Sequence, residues 1–147
     1  MSYVKIWLHC VWSTKNRKAF LKNETRKSTI SHIVDNAKQK GIFIDFINGH
    51  IDHIHALISL QKNQCISEVM RLIKGESSHW LNKSGKLKSK FEWQDDYFAV
   101  SVSHSKVDIV RDYIKNQEEH HRNMTWDEEV DLFLRKYGFV RMIDKWG

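Results

Sequence analysis

The hydrophobic pattern of the chain predicts an α+β fold, the ferredoxin-like split βαβ arrangement in the order β-α-β-β-α-β, followed by two further helices. Four segments have the composition of strands, two of them with apolar and polar residues in alternation, and segments between them carry apolar residues at helical spacing. In this fold an antiparallel sheet carries two helices on one face, with its first and third strands side by side at the centre. The 147 residues suit one domain, with a core at about 3–121 and a helical extension at about 122–147.

Three of the four predicted strands lie in the first sixty residues. The first and third have apolar side chains at every second position, so that one face packs and the other can carry polar groups. The turn after the second strand is expected to begin at Asn48-Gly49, because this pair readily adopts the positive φ angles of tight hairpins. The predicted strands are residues 3–13, 42–47, 53–60 and 97–103.

Four helices are predicted from apolar residues three and four apart. Each begins at a side chain that can cap the first turn, and the third and fourth begin with capping boxes. Gly75 inside the second helix costs on the order of 1 kcal/mol relative to alanine. The predicted caps are Asn23, Ser67, Ser105 and Thr125; Gly41 and Gly138 end the first and fourth helices, and the fourth has Trp126, Val130, Phe133, Leu134 and Tyr137 on one face.

The composition is that of an ordinary folded protein with a basic surplus. No apolar run reaches membrane-spanning length, and no signal peptide is evident. The two cysteines are too few for an all-cysteine zinc site, and they are typical of the reduced cysteines of a cytoplasmic protein. Residues 1–93 carry 16 Lys and Arg against 7 Asp and Glu, whereas residues 94–147 carry 8 against 11. The resulting net charges, +9 and −3, give the total of +6, and the basic part suits a polyanion such as nucleic acid.

A cluster of histidines opens the third predicted strand, in the stretch HIDHIHALISL. Side chains two apart in a strand share a face, so His53 and His55 point together while the isoleucines next to them pack on the other side. The spacing of His50 places it in the preceding turn. If strands one and three are neighbours, His9 lies near the pair as a supporting residue. Two imidazoles side by side indicate a candidate metal site.

A second pair lies on the third predicted helix, where Tyr113 and Gln117 are four apart and hence neighbours on one face. If that face meets the histidines, His53, His55 and Gln117 surround a divalent ion with the phenol beside it. Nitrogen and oxygen ligands with open positions suit Mg²⁺ or Mn²⁺. Such an ion would act as a Lewis acid on a phosphodiester, and Tyr113 would be the nucleophile. The alternative is that neither residue is part of a site: the tyrosine ring would pack against the core, and the glutamine amide would face solvent.

These residues resemble the single-tyrosine transposases of the insertion-sequence-200-like family, including the relatives associated with repetitive palindromes. His53-Ile54-His55 resembles the family's His-hydrophobic-His (HUH) motif, and the stretch YIKNQ from Tyr113 to Gln117 resembles its nucleophile helix. The resemblance spans roughly residues 3–140. Further matches lie at His9, Val11-Trp12, Ser13-Thr14-Lys15, Lys74-Gly75, Ser77-Ser78, Trp93-Gln94, Tyr97, Ser101-Val102-Ser103 and His120-His121, whereas Ala56 and Asp95-Asp96 depart from the pattern.

The resemblance implies a metal-dependent enzyme that cuts and rejoins single-stranded DNA, an endonuclease and strand transferase that recognises DNA hairpins. It implies that His53 and His55 bind the ion, that Gln117 completes its shell and that Tyr113 forms a 5′-phosphotyrosine, freeing a 3′-hydroxyl. Many members are homodimers in which the tyrosine helix of one subunit serves the histidine pair of the other, and some palindrome-associated relatives act as monomers.

Two basic loops are the candidate DNA-binding segments. Their cations would neutralise phosphates, and Phe91 and Trp93 could stack on unpaired bases. Lysine-rich loops are also common as solvated surface, and Trp93 also fits a position in the core. The candidates are Lys15, Arg17 and Lys18 after the first strand, and Lys83, Lys86, Lys88 and Lys90 before Phe91.

Other functions fit parts of the same pattern. A domesticated protein that binds DNA hairpins without cutting them would keep the fold, although the intact set of His53, His55, Tyr113 and Gln117 argues against it. A nicking enzyme of the relaxase or replication-initiator type would use the same ligands, but the chain is short. An RNA-binding module is the weakest alternative, because the first strand lacks the Gly-aromatic pattern on which bases stack.

Overall fold

A computed structural model describes residues 1–117 and 124–136, which belong to two compact units, Met1–Gln117 and Glu118–Gly147. The first unit follows the predicted order β-α-β-β-α-β and adds a third helix. None of the helices in the described ranges is long and apolar enough to cross a bilayer. The elements of the first unit are β1 (Ile6–Ser13), α1 (Asn23–Gln39), β2 (Phe43–Gly49), β3 (His53–Leu60), α2 (Ile66–Ser84), β4 (Phe98–Val102) and α3 (Val107–Lys115), and α4 (Trp126–Lys136) lies in the second unit.

The sheet has four antiparallel strands in the order β2-β3-β1-β4. β1 and β3 therefore lie side by side at the centre, which confirms the prediction. Their ladder continues to Ser13, which pairs with His53 at the start of β3. On the other side of β3, a register shift between Ile44 and Phe46 interrupts the ladder at Asp45.

Both faces of the sheet are covered by helices. On one face α1 and α2 pack against alternate residues of the central strands, among them Cys10 and Trp12, and this confirms the predicted pair of helices on one face. On the other face α3 packs through residues such as Ile114 against Trp7 and Leu57. The alternation of β1 and β3 thus separates an α1–α2 face from an α3 face.

The turn predicted at Asn48-Gly49 is wrong, because both residues belong to β2 and pair with β3. The chain reverses at residues 50–52, so the prediction that His50 lies in the turn is confirmed. A Cβ atom at Gly49 would collide with the carbonyl oxygen of His53. The glycine therefore permits two strands to approach closely, a role that the local Asn-Gly signal does not distinguish from a turn.

Three of the predicted helix caps are also wrong. α1 includes Asn23 as its first residue, and α2 begins at Ile66, before Ser67. The Oγ of Ser67 lies 3.1 Å from the Sγ of Cys65, the residue that precedes the helix. Ser105 lies in a 3-10 turn before α3, where its hydroxyl pairs with that of Ser103. For Ser67 and Ser105, a local polar contact occupies the side chain that the pattern predicts as a cap.

Two helix ends agree with the sequence. Gly41 has a φ of +71° and follows α1 in the left-handed conformation that glycine favours. Thr125 accepts a hydrogen bond from the backbone N–H of Glu128 at 3.2 Å, as expected of a capping box at the start of α4. The predicted end of this helix at Tyr137 and Gly138 lies outside the described residues, as do His120-His121 and the side chains of Trp126, Phe133 and Leu134.

Candidate active site

Three histidines of the central strands lie on the α3 face of the sheet. His9 belongs to β1, and His53 and His55 belong to β3, where they share a face as the alternation predicts. All three side chains are buried. The Nε2 of His9 and the Nδ1 of His55 lie 2.9 Å apart, so one of these nitrogens carries the hydrogen and donates it to the other. The expectation that His9 lies beside the pair is confirmed.

The ring of His53 is oriented by groups at both of its nitrogens. Its Nδ1–H donates to Oδ1 of Asp52 at 2.7 Å, and its Nε2 lies 3.3 Å from Oε1 of Gln117. The amide of Gln117 has a defined orientation, since its Nε2 donates to the carbonyl oxygen of Tyr113 at 3.2 Å. The oxygen of Gln117 therefore faces His53.

Tyr113 lies next to histidines of its own chain. It projects from α3, and its ring packs edge-to-face against His9 and His55, with centroid separations of 5.9 and 5.6 Å. α3 ends at Lys115, so Gln117 lies just beyond the helix and not within it as predicted. The hydrogen bond from Gln117 to the Tyr113 carbonyl nevertheless keeps the two residues adjacent. The structure thus brings together the four residues His53, His55, Tyr113 and Gln117.

Two side chains of β2 hold α3 against the sheet. Asn48, which pairs with His55 in the β2–β3 ladder, donates through Nδ2 to the carbonyl oxygens of Ile114 and Lys115, both at 3.1 Å. These carbonyls belong to the last two residues of α3.

One turn earlier, Arg111 forms a bidentate ion pair with Asp45, at 2.7 Å from Nε and 2.8 Å from Nη2. The hydrogen bonds to Asp45 and then to Asp108 raise the pKa of Arg111 above its usual range. Because these contacts flank Tyr113 along the helix, they fix its position over the histidines.

The donor set fits a divalent cation. When the Nδ1–H of a neutral His53 donates to Asp52, its Nε2 carries a lone pair that faces the carbonyl oxygen of Gln117. Two such lone pairs at 3.3 Å are stabilised by a proton or by a cation that both can bind. A ring nitrogen of His53 also lies within 4.8 Å of a ring nitrogen of His55. Two ligand atoms on opposite sides of one Mg²⁺ ion are about 4.2 Å apart, so a small adjustment would let both imidazoles bind the same ion.

The seven cations predicted to contact DNA are all exposed. The structure brings Lys15 and Lys90, from different loops, to the same carboxylate: their Nζ atoms lie 3.2 and 3.4 Å from Glu92. Lys86 points elsewhere, to the hydroxyl of Ser28 on α1 and over the ring of Trp80. Arg17 and Lys18 lie in the segment after β1, and Lys83 and Lys88 lie at and after the end of α2.

The interpretation of Phe91 and Trp93 as base-stacking residues is wrong, and the alternative that Trp93 belongs to the core is confirmed. Both rings are buried, pack against each other and belong to the core on the α1–α2 face, where Trp93 also contacts Trp12. The indole N–H of Trp93 donates to the buried Oγ of Ser77 at 3.0 Å.

Two residues that contact this site were not predicted. Asp52 directly precedes His53, but the alternation of a strand gave no reason to pair them, because Asp52 lies in the turn. Its position as the last acidic residue before the motif is the signal that could have identified it. Asn48 was assigned to a turn, and only the register of β2 shows that its amide reaches the end of α3.

Comparison with known proteins agrees with this geometry. Residues 2–117 match the family model described as "Transposase IS200 like". The chain is 26% identical over 114 residues to the ISDra2 transposase TnpA of Deinococcus radiodurans, across 74% of this chain and 81% of that protein. It is 30% identical over 114 residues to the transposase for insertion sequence element IS200 of Salmonella typhimurium, across 74% of each.

A solved structure supports the fold independently. The REP-associated tyrosine transposase bound to a REP hairpin superposes with a TM-score of 0.62 at 20% identity, across 82% of this chain and 72% of that one. The family match covers the first unit except for Met1, and it includes both histidines of β3, the tyrosine of α3 and Gln117. The chain therefore belongs to the IS200-like transposases, a family of enzymes that act on DNA.

Proposed function

We propose that this transposase cuts and rejoins single-stranded DNA through a covalent bond to Tyr113. The observation that carries the proposal is the packing of the Tyr113 ring against His9 and His55, next to the facing groups of His53 and Gln117. A phenol among buried imidazoles has groups nearby that can receive its proton or hold a cation that stabilises the phenolate.

The chemistry is a transesterification. The phenolic oxygen of Tyr113 loses its proton and bonds to the phosphorus of the scissile phosphodiester, while the bond from phosphorus to the 3′ oxygen breaks. The departing 3′ oxygen takes up a proton, leaving a 3′-hydroxyl and a 5′-phosphotyrosine. The phosphodiester energy is kept in the new ester, so attack by a 3′-hydroxyl can reverse the step and rejoin the strand.

His53, His55 and Gln117 are the proposed ligands of Mg²⁺ or Mn²⁺, which would supply Lewis-acid stabilisation of charge on the phosphate oxygens. The protein's own groups orient these ligands. Asp52 holds the ring of His53 so that Nε2 faces Gln117, and His9 contacts Nδ1 of His55. Such hydrogen bonds set which nitrogen of each ring is available to a cation.

A DNA hairpin with a single-stranded flank is the proposed substrate. The structurally similar REP-associated transposase is bound to a REP hairpin, and the exposed basic loops of this chain suit phosphates. A homodimer, with or without exchange of the tyrosine helix, stays a prediction, as does the single-domain organisation. The cytoplasmic location predicted from the sequence accords with this substrate.

The direct test is an adduct assay with a labelled library of single-stranded hairpins. We expect a protein–DNA adduct that survives denaturation, needs Mg²⁺ or Mn²⁺, and is lost in Tyr113→Phe and with chelator. Tyr3→Phe is the matched control, because Tyr3 is 90% exposed and far from the site in sequence. Hairpin binding without an adduct would contradict the proposal and favour the non-catalytic binder. An adduct that never rejoins strands would favour a nicking enzyme.

A further inference from the structure

A groove of about 590 Å³ lies on the α1–α2 face of the sheet, opposite the face that carries Tyr113. One wall is a single face of α2, and the other is the segment that runs toward β4. The proposed catalytic chemistry uses neither wall. The lining residues from α2 are Ser67, Met70, Arg71, Lys74, Gly75, Ser78 and Asn82, and the others are Lys15 and residues 90–95 and 97.

Hydrogen bonds to the backbone build the second wall. Beyond β1, Thr14 and Trp93 form an antiparallel bridge, and the N–H of Lys15 donates to the carbonyl of Glu92 at 2.9 Å. The Nζ of Lys74 joins this wall to α2 by donating to the carbonyls of Gln94 and Asp95, at 2.6 and 2.8 Å. The groove is therefore a formed feature of the fold with fixed walls.

The charge of the lining favours an anion. Lys15, Lys90, Arg71 and Lys74 line the groove, against the carboxylates of Glu92 and Asp95. Lys15 and Lys90 are 75 positions apart in the chain, yet both approach Glu92. Their hydrogen bonds and charges, those of Lys15 first, lower the pKa of the Glu92 carboxyl group. The fold thus brings one cation from each of the two basic loops to the same groove.

Gly75 is unexplained by the packing of the protein itself. A glycine inside a helix is less favourable than alanine, and a Cβ atom built at Gly75 would meet nothing within 4 Å. The residue is exposed and lines the groove, so its missing side chain leaves the helix backbone open. Such a position suits a ligand that lies directly against α2.

The groove begins beside the catalytic end of the sheet. Ser13, the last residue of β1, pairs with His53, and the N–H of Thr14 donates to the carbonyl of Asp52 at 2.8 Å. The next residues of the same segment form the groove wall with Trp93 and Glu92. A strand that leaves the histidine site around this end of the sheet therefore reaches the groove within a few residues' length.

We propose that this groove binds the single-stranded DNA that flanks the scissile phosphate, with the DNA backbone against Gly75 of α2 and its phosphates near Lys15, Arg71 and Lys90. The inference rests on the proposed function for the identity of the ligand. An open cationic groove with exposed helix backbone suits a flexible single strand, which can follow the surface and bring its phosphates to the cations.

The test measures binding without catalysis, with a labelled single-stranded oligonucleotide of about 12 nucleotides, a length within the usual site sizes. All variants are made in Tyr113→Phe protein and assayed in chelator. We expect Gly75→Met to weaken binding about tenfold, and Gly75→Ala to weaken it less while raising the melting temperature. His79→Met is the matched control, since His79 is exposed on α2 but does not line the groove.

A charge variant tests the phosphate contacts. Lys90→Glu should lower the slope of log affinity against log salt by about 0.7 per lost contact, and Lys38→Glu, at an exposed position of α1, makes the same change in net charge outside the groove. Unchanged affinity in Gly75→Met, an equal loss in Lys38→Glu, or equal binding of a duplex would overturn the proposal. If Tyr113 forms the adduct but these variants bind the oligonucleotide as well as the parent protein, the DNA-binding role of the groove alone is refuted. If the variants lose binding but no adduct forms at Tyr113, only the proposed catalytic function is refuted.

Discussion

Removing the carboxylate of Asp52 should weaken metal binding without touching a proposed ligand. Oδ1 of Asp52 accepts the hydrogen of His53 Nδ1 at 2.7 Å, and its side chain is only 15% exposed. In Asp52→Ala, His53 loses the group that keeps its Nε2 turned toward Gln117. Loss of such a partner typically costs 10- to 100-fold in metal affinity, which corresponds to about 1.4 to 2.7 kcal/mol.

The assay is calorimetric titration of Mn²⁺, followed by the rate of adduct formation at saturating metal. Asp52→Asn should have a smaller effect, because the amide oxygen can still accept the hydrogen bond but carries no charge. Asp35→Ala is the control: it removes an exposed carboxylate of α1, which packs on the opposite face of the sheet from the histidines. This variant should bind Mn²⁺ like the wild type. An unchanged Mn²⁺ affinity in Asp52→Ala would refute the reasoning that this hydrogen bond orients a metal ligand.

The remaining predictions concern the contacts around α3 and the two cysteines. Asp45→Asn removes the charge from a short bidentate pair with Arg111 and should lower the urea concentration at the midpoint of unfolding; an unchanged midpoint would show that water replaces the pair. Asn48→Ala should speed amide hydrogen exchange at the end of α3 and slow adduct formation. Unaltered exchange would show that the hydrogen bonds of Asn48 do not hold this end of the helix. Cys65 is exposed and its hydrogen bond to Ser67 lowers its pKa, while burial raises the pKa of Cys10 to about 12, so iodoacetamide at pH 8 should label Cys65 alone until the protein unfolds, as peptide mapping would show.

Periodic patterns predicted the parts of the site that lie on single elements. The two-residue spacing of His53 and His55 fixed their shared face on β3, and the split βαβ order placed β1 and His9 beside them. Tyr113 and Gln117 were paired by helical spacing, and they remain adjacent although α3 ends between them. In these cases local geometry and tertiary structure agree.

Features that depend on register or on distant segments could not be predicted. The Asn48-Gly49 pair carries a local turn signal, but continued pairing with β3 is more favourable and extends β2 through both residues. Trp93 follows a basic loop as a nucleic-acid-binding aromatic would, and its sequence position also fits the core; only the fold decides for the core, where burial stabilises a large ring. Lys15 and Lys90 come to the same groove only after folding, so no short segment of the sequence predicts the groove.

The most direct test of the central claim is to locate the DNA on the protein. The covalent product is digested with nuclease and protease, and the peptides are sequenced by mass spectrometry. The chain has four tyrosines, Tyr3, Tyr97, Tyr113 and Tyr137, so the modified position is informative. We predict a 5′-linked nucleotide on Tyr113 and on no other residue. A nucleotide on a different side chain, or adduct formation at full yield in Tyr113→Phe, would contradict the account.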